Sequence, residues 1–108
     1  MPEALQARVA AQLKLALLGD CGCDRTMGRL EREARQSGMT GAEIDAALVG
    51  RSFEARTAAI VAYACALKAG EAERIEQARS RASRIGVTAR ELSAIARKAK
   101  RILASKRR

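Results

Sequence analysis

Apolar residues return along this chain every three or four positions, with arginines, lysines and glutamates between them. That is the period of an α-helix rather than of a strand. Leu5, Val9, Leu13, Leu15 and Leu17 predict a first helix over about 3–18, stopped by Gly19. A second is predicted over about 23–37, with Leu30 and Ala34 inward and Arg29, Glu31, Arg32, Glu33 and Arg35 outward. Ser37-Gly38 ends it, since glycine accepts the left-handed C-terminal cap. Further on, Phe53, Thr57, Ile60, Val61, Ala64 and Leu67 line one side of a long helix, a stripe for burial or for contact between subunits. Ser52 is its expected cap and Gly70 its end. Glu71 to Ile85 predicts a more charged helix, and Thr88 starts the last one.

The turns are marked twice in the same way. Gly38-Met39-Thr40-Gly41-Ala42-Glu43-Ile44 returns 48 residues later as Gly86-Val87-Thr88-Ala89-Arg90-Glu91-Leu92. Each copy is a glycine stop, an apolar staple residue, a threonine N-cap and a glutamate three positions on, which together make a capping box. These motifs turn corners and carry no chemistry of their own.

Six helices with short connections and no linker predict one all-α domain over 1–108, a compact bundle of about six helices. Composition narrows how its core is built. With one Phe, one Tyr and no Trp in 108 residues, the interior must consist of Ala, Leu, Ile and Val. The three cysteines are too few for a disulfide framework, and the odd number argues against secretion. Glu3, Arg8 and Lys14 interrupt the first apolar segment, so it lacks a signal-peptide core. The longest uncharged apolar run, Ala58 to Leu67, is too short to span a bilayer. A cytoplasmic protein without membrane attachment is the expectation.

The net charge of +9 is concentrated at one end. Eight Lys/Arg against one Glu from Arg90 onward carry +7, leaving +2 for residues 1–89. In the last helix, about 88–108, Leu92, Ile95, Ala96, Ala99, Ile102 and Leu103 form an apolar stripe. Arg97, Lys98, Lys100 and Arg101 line the other side, and Lys106, Arg107 and Arg108 extend the charge. Such a patch serves nucleic acid or an acidic partner, or is a solvated face whose cations complement the helix C-terminus. Without aromatic residues for stacking, binding to nucleic acid is expected to be weak and salt-sensitive.

The second candidate is Gly19-Asp20-Cys21-Gly22-Cys23-Asp24-Arg25. Cys23 stands near the start of the second helix, where unpaired amides and the helix dipole favour a thiolate, and Arg25 and Arg29 add positive charge. Cys21 is close enough in sequence to act as a resolving thiol, although a C-x-C bridge closes a small strained ring. The alternative is that both are small apolar fillers, because free cysteine is often buried. Cys65, between Ala64 and Ala66, reads as packing. The chain has no histidine, so Ser/His/Asp and Cys/His catalysis are excluded, and three cysteines alone do not make a zinc site. No cofactor and no metal is expected.

Taken in order, the helix, the cysteine site opening the next helix, EAxxxGMTxxEI, SFEARTAAIVAYACAL and the second GVTxxEL turn resemble the alkylhydroperoxidase D-like/carboxymuconolactone decarboxylase-like family of small all-α proteins. That family carries C-x-x-C-x-x-x-H ahead of the Gly-x-Thr/Ser-x-x-Glu-Ile turn. Counting back from Gly38 places its first cysteine on Cys23, its second on Thr26 and its histidine on Leu30; residues 10–19 offer no carboxylate for the family's glutamate. The resemblance implies an alkylhydroperoxidase D-like fold and assembly into trimers or larger oligomers. It also implies a thiol-dependent oxidoreductase or antioxidant-type site altered to Cys23 and Cys21, acting on a small-molecule or protein thiol/disulfide. The incomplete relay predicts little classical hydroperoxide turnover. The contrasting function is a non-catalytic helical oligomer that engages nucleic acid or an acidic partner through its basic C-terminal helix.

Overall fold

Leu13, Leu15 and Leu17 are two residues apart, so at about 100° per residue they point around the first helix rather than along one side. A helix apolar all round must be covered all round. In a computed structural model that describes residues 3–20 and 24–105, with side chains from Ala7 onward, this is what occurs. Ala11, Gln12, Leu13, Leu15, Leu17 and Leu18 are all buried. The elements are α1 (Glu3–Leu18), α2 (Asp24–Gln36), α3 (Gly41–Leu48), α4 (Ala55–Ala69), α5 (Ala72–Ile85) and α6 (Ala89–Ser105). Helix α1 packs against α2, α3, α4 and α6, while α5 lies outside on α4. No strand occurs among the described residues, and the radius of gyration is 13.1 Å. None of the described helices is long and apolar enough to cross a membrane.

The chain consists of two related three-helix halves. A shift of 48 residues carries the start of α2 onto that of α5 and the start of α3 onto that of α6. The buried pairs Leu13/Val61, Leu15/Tyr63, Ala34/Ala82, Met39/Val87, Ile44/Leu92 and Ala47/Ile95 follow the same shift. So do the turn hydrogen bonds. The Met39 amide donates to the Ala34 carbonyl at 3.0 Å, and the Val87 amide to the Ala82 carbonyl at 3.0 Å. This six-to-one bond closes a Schellman turn, which needs the positive φ of 95° at Gly38 and 102° at Gly86.

Both capping boxes form. The Glu43 amide donates to Thr40 Oγ1 at 3.2 Å while the Thr40 amide donates to Glu43 Oε1 at 3.0 Å. In the second box the Glu91 amide donates to Thr88 Oγ1 and the Thr88 amide to Glu91 Oε1, each at 3.1 Å. Each glutamate also receives an arginine from the first helix of its own half: Arg8 pairs with Glu43, and Arg56 with Glu91. Arg8 additionally donates to the Gly38 carbonyl at 3.1 Å, tying α1 to the turn before α3.

Two expectations are corrected. Ser52 does not cap the long helix: α4 begins at Ala55 after Glu54, and Ser52 Oγ accepts only the Glu54 amide at 3.3 Å. Phe53 therefore precedes the helix and is 69% exposed rather than part of its stripe. Thr57, Ile60, Val61 and Ala64 are buried within the chain itself, so they supply no contact between subunits. Among the described residues the exposed large apolar side chains are Val49, Phe53 and Ile85.

The paired glutamates predict an acid-side weakness. The Thr40 amide, then the Thr40 hydroxyl and Arg8, hold the Glu43 carboxyl below its usual range, and Arg56 followed by the Thr88 amide does the same for Glu91. A carboxyl with a lowered folded pKa contributes stability above its unfolded value, about 4.3, and loses it as pH falls through the folded one. The double variant Glu43→Gln/Glu91→Gln keeps side chains able to fill the boxes but not the charges. It should be less stable at pH 7 by about 0.2–1 kcal/mol per pair. The deficit should vanish as both proteins are taken from pH 5 to pH 2.5. Urea melts that stay equally spaced over this range would contradict the assignment.

Candidate functional site

The two halves diverge at one place. Helix α3 ends at Leu48 and the chain turns at Gly50, whereas α6 continues through the equivalent position, Lys98, to Ser105. This extension lies against α1, and its charged residues are those that the sequence marks as a basic patch. Between α1, α2 and α6 it leaves a groove of about 380 Å³ lined by Lys14, Leu18, Arg29, Leu30, Glu33, Lys98, Arg101, Ile102 and Ser105.

Four of these side chains are cations and one is an anion. Lys14 donates to Glu33 at 3.1 Å, so that pair is internally balanced. Arg29, Lys98 and Arg101 form no ion pair with a described carboxylate. Their repulsion is tolerated because Arg29 and Arg101 are exposed and Lys98 half-buried, which leaves each in contact with water. An anion entering the groove would meet three positive charges that no described carboxylate pairs with. Ser105 is occupied, its hydroxyl donating to the Ile102 carbonyl at 2.6 Å.

A second cavity, of about 450 Å³, also has Lys98 in its lining. It is lined by Val9, Ala10, Leu13, Ile60, Ala94 and Ile95, together with Lys98 and the Arg56–Glu91 pair. Glu91, Ala94, Ile95 and Lys98 follow the helical i, i+3, i+4, i+7 spacing, and Lys98, Arg101, Ile102 and Ser105 repeat it. One face of α6 thus borders both cavities, apolar at Ala94 and Ile95 beyond the Arg56–Glu91 pair and cationic at Lys98 and Arg101.

The groove has a counterpart in the second half. A cavity of about 350 Å³ against α4 and α5 is lined by Ala62, Ala66, Gln77, Ala78, Arg81 and Gly50, together with Val49, Cys65 and Arg74. The first six correspond, at 48 residues, to Lys14, Leu18, Arg29, Leu30, Glu33 and Lys98. The shape is duplicated and the chemistry is not. Burial pushes the Cys65 thiol up from its ordinary pKa, against the opposing charges of Lys68 and Arg74. Cys65 is thus a protonated, half-buried thiol at neutral pH.

Of the residues marked by sequence, the structure brings Arg29 and Leu30 of α2 together with Lys98 and Arg101 of α6. Leu30 is a core residue at 2% exposure that also lines the groove. Arg25 is exposed on the first turn of α2 and Thr26 half-buried, and neither lines the groove. Arg97 and Lys100 are exposed beside it. Cys21, Cys23, Lys106, Arg107 and Arg108 lie outside the described residues. The connection that leads into Cys21 is anchored on its α1 side: Lys68 of α4 donates to the Leu17 carbonyl and to Asp20, each at 2.8 Å.

Sequence reasoning missed Lys14 as a groove residue and Arg8 and Arg56 as partners of the capping glutamates. A signal for the arginines exists. Ala-Arg-Val-Ala-Ala at 7–11 and Ala-Arg-Thr-Ala-Ala at 55–59 stand at the same 48-residue spacing as the turns. Among the described residues no group of three or more His, Cys, Asp or Glu could hold a metal ion.

Compared with protein-family models, curated proteins and solved structures, the chain finds no match.

Proposed function

We propose that this chain is a small thiol-disulfide oxidoreductase of alkylhydroperoxidase D-like type, with Cys23 as its reactive thiol and Cys21 as its resolving partner. The observation that carries the reading is that α2 opens at Asp24, the residue after Cys23 in sequence, with Arg25 exposed on its first turn and Arg29 exposed one turn further on. Positive charge and a helix N-terminus both stabilise a thiolate. Asp24, on the first turn, opposes them and keeps the effect modest. Cys65 does not compete, because its thiol is pushed up by burial.

The step balances as ordinary exchange. The Cys23 thiolate attacks one sulfur of a substrate disulfide and displaces the other as a thiolate. Cys21 then attacks the Cys23 sulfur of the mixed disulfide, releasing the second substrate thiol and leaving a Cys21–Cys23 bridge. The substrate gains two electrons, and an external dithiol restores the protein by the reverse exchange. With Thr26 and Leu30 at the family's second cysteine and histidine positions, classical hydroperoxide turnover is weak. General acid–base help is typically worth about 10²–10⁴-fold.

A second reading is favoured by the groove: recognition of an anionic partner through α6, with Arg29, Lys98 and Arg101 as the contacts. On either reading we place the protein in the cytoplasm as a homo-oligomer, a trimer or larger. Val49 and Phe53, 70% and 69% exposed on the α3–α4 connection, are apolar surface available for assembly.

Iodoacetamide labelling against pH, followed on each cysteine by mass spectrometry, tests the thiol reading. Cys23 should react first, with an apparent pKa below the roughly 8.5 of a free cysteine. Cys65 should react last and only at higher pH, and mild oxidation should join Cys21 to Cys23. Equal, slow labelling of all three thiols would reduce the cysteine pair to packing. Light scattering tests the assembly. The native chain should exceed its 11.6 kDa monomer mass, and Phe53→Glu should return it to the monomer. A native protein that is monomeric at micromolar concentration would refute the oligomer.

A further inference from the structure

We propose that the two cavities along α6 form a single site for an amphipathic anion, an acyl-chain carboxylate with its head at Arg29, Lys98 and Arg101 and its tail on Leu13, Ile60 and Ile95. The inference rests on the second reading above, that α6 recognises an anion, and adds the chemical class of the ligand. Three observations carry it. The cavities share Lys98, so their linings meet at one side chain of α6. Their linings differ in kind: mainly alanine and branched aliphatics on one side, three cations that no described carboxylate pairs with on the other. The α6 face that borders both, from Glu91 to Ser105, extends about 21 Å at roughly 1.5 Å per residue, an elongated track rather than a point site.

This division of chemistry selects among anions. An inorganic anion would use the cationic end and leave the apolar end wet. Single-stranded nucleic acid would want aromatic platforms, and neither cavity has an aromatic residue in its lining. A chain with a carboxylate at one end satisfies both. Each cavity has the volume expected of a small-molecule site, at about 450 and 380 Å³. At the apolar end Arg56 and Glu91 neutralise one another, so they do not compete for the head group.

The test is calorimetric titration of the full chain with octanoate, decanoate and dodecanoate below their micelle concentrations. Inorganic phosphate and dodecyltrimethylammonium serve as the tail-less anion and the cationic amphiphile. Each methylene removed from water should tighten binding roughly fourfold, so dodecanoate should bind one to one and about fifteenfold tighter than decanoate, which is two methylenes shorter. Lys98→Ala/Arg101→Ala should weaken dodecanoate at least about tenfold. Ala94→Phe fills the apolar cavity from an exposed position, and should abolish the dependence on chain length. Circular dichroism melts confirm that both variants are folded. Phosphate binding as tightly as dodecanoate, and indifferently to Ala94→Phe, would overturn the acyl ligand while leaving the anion reading in place. Dodecyltrimethylammonium binding equally well would overturn the proposal by showing a merely apolar patch. Capture of phosphatidylglycerol vesicles without binding of the free acids would replace it with a membrane surface. No binding by any probe would overturn both the proposal and the reading beneath it.

Discussion

From Ala11 to Leu18 helix α1 has little face to give to water, and the rest of the molecule is arranged around that constraint. Its leucines at 13, 15, 17 and 18 point in different directions and are all buried, which forces α2, α3, α4 and α6 to surround it. The two cations on this helix show how strict the requirement is. Arg8 and Lys14 remain on α1 by reaching carboxylates on the surrounding helices, Glu43 of α3 and Glu33 of α2. Where the wrapping is incomplete, cavities open: Val9 and Leu13 border one, and Lys14 and Leu18 border the other. The candidate site is therefore a consequence of how one helix is covered.

The duplication explains why the site lies where it does. Two halves built on the same Arg–Glu tie and the same Schellman turn make similar hollows against α2 and α5. In the first half Gly50 turns the chain away after α3; in the second, Lys98 keeps α6 going for two more turns. That extension closes the groove over α1 and supplies most of its charge. Arg81 stands where the first half has Glu33, and Gln77 where it has Arg29, so the second hollow inherits the shape with a different electrostatic pattern.

Much of the architecture was legible in the sequence because it is local. Glycine stops and Thr-x-x-Glu boxes are interactions within a few residues, and both boxes form as read. Local rules also explain the errors. Ser52 has the chemistry of a cap, yet α4 begins only at Ala55, after an extended Glu54, so Phe53 is left outside the helix that its spacing predicts it to join. The stripe from Thr57 to Ala64 is apolar at helical spacing, but spacing does not say which neighbour covers it, and the neighbour is this chain's own core. The α6 charges were visible as a patch; that Lys98 and Arg101 meet Arg29 across α1 is a tertiary fact with no local signature. Arg8 and Arg56 were recoverable in principle, through a repeat that extends beyond the turns.

Native-state hydrogen exchange tests the central claim, that burial of α1 holds the two halves together. Amide protection reports the free energy of the opening that exposes each group, from local fraying up to global unfolding. The account predicts that the amides of Leu13 to Leu18 exchange only through global unfolding. Those of α5, which has a single buried residue, Ala82, and packs chiefly against α4, should open locally and exchange earlier. Protection in α5 that equals or exceeds that of α1 would contradict the account and move the organising centre of the fold to the α4–α5 pair.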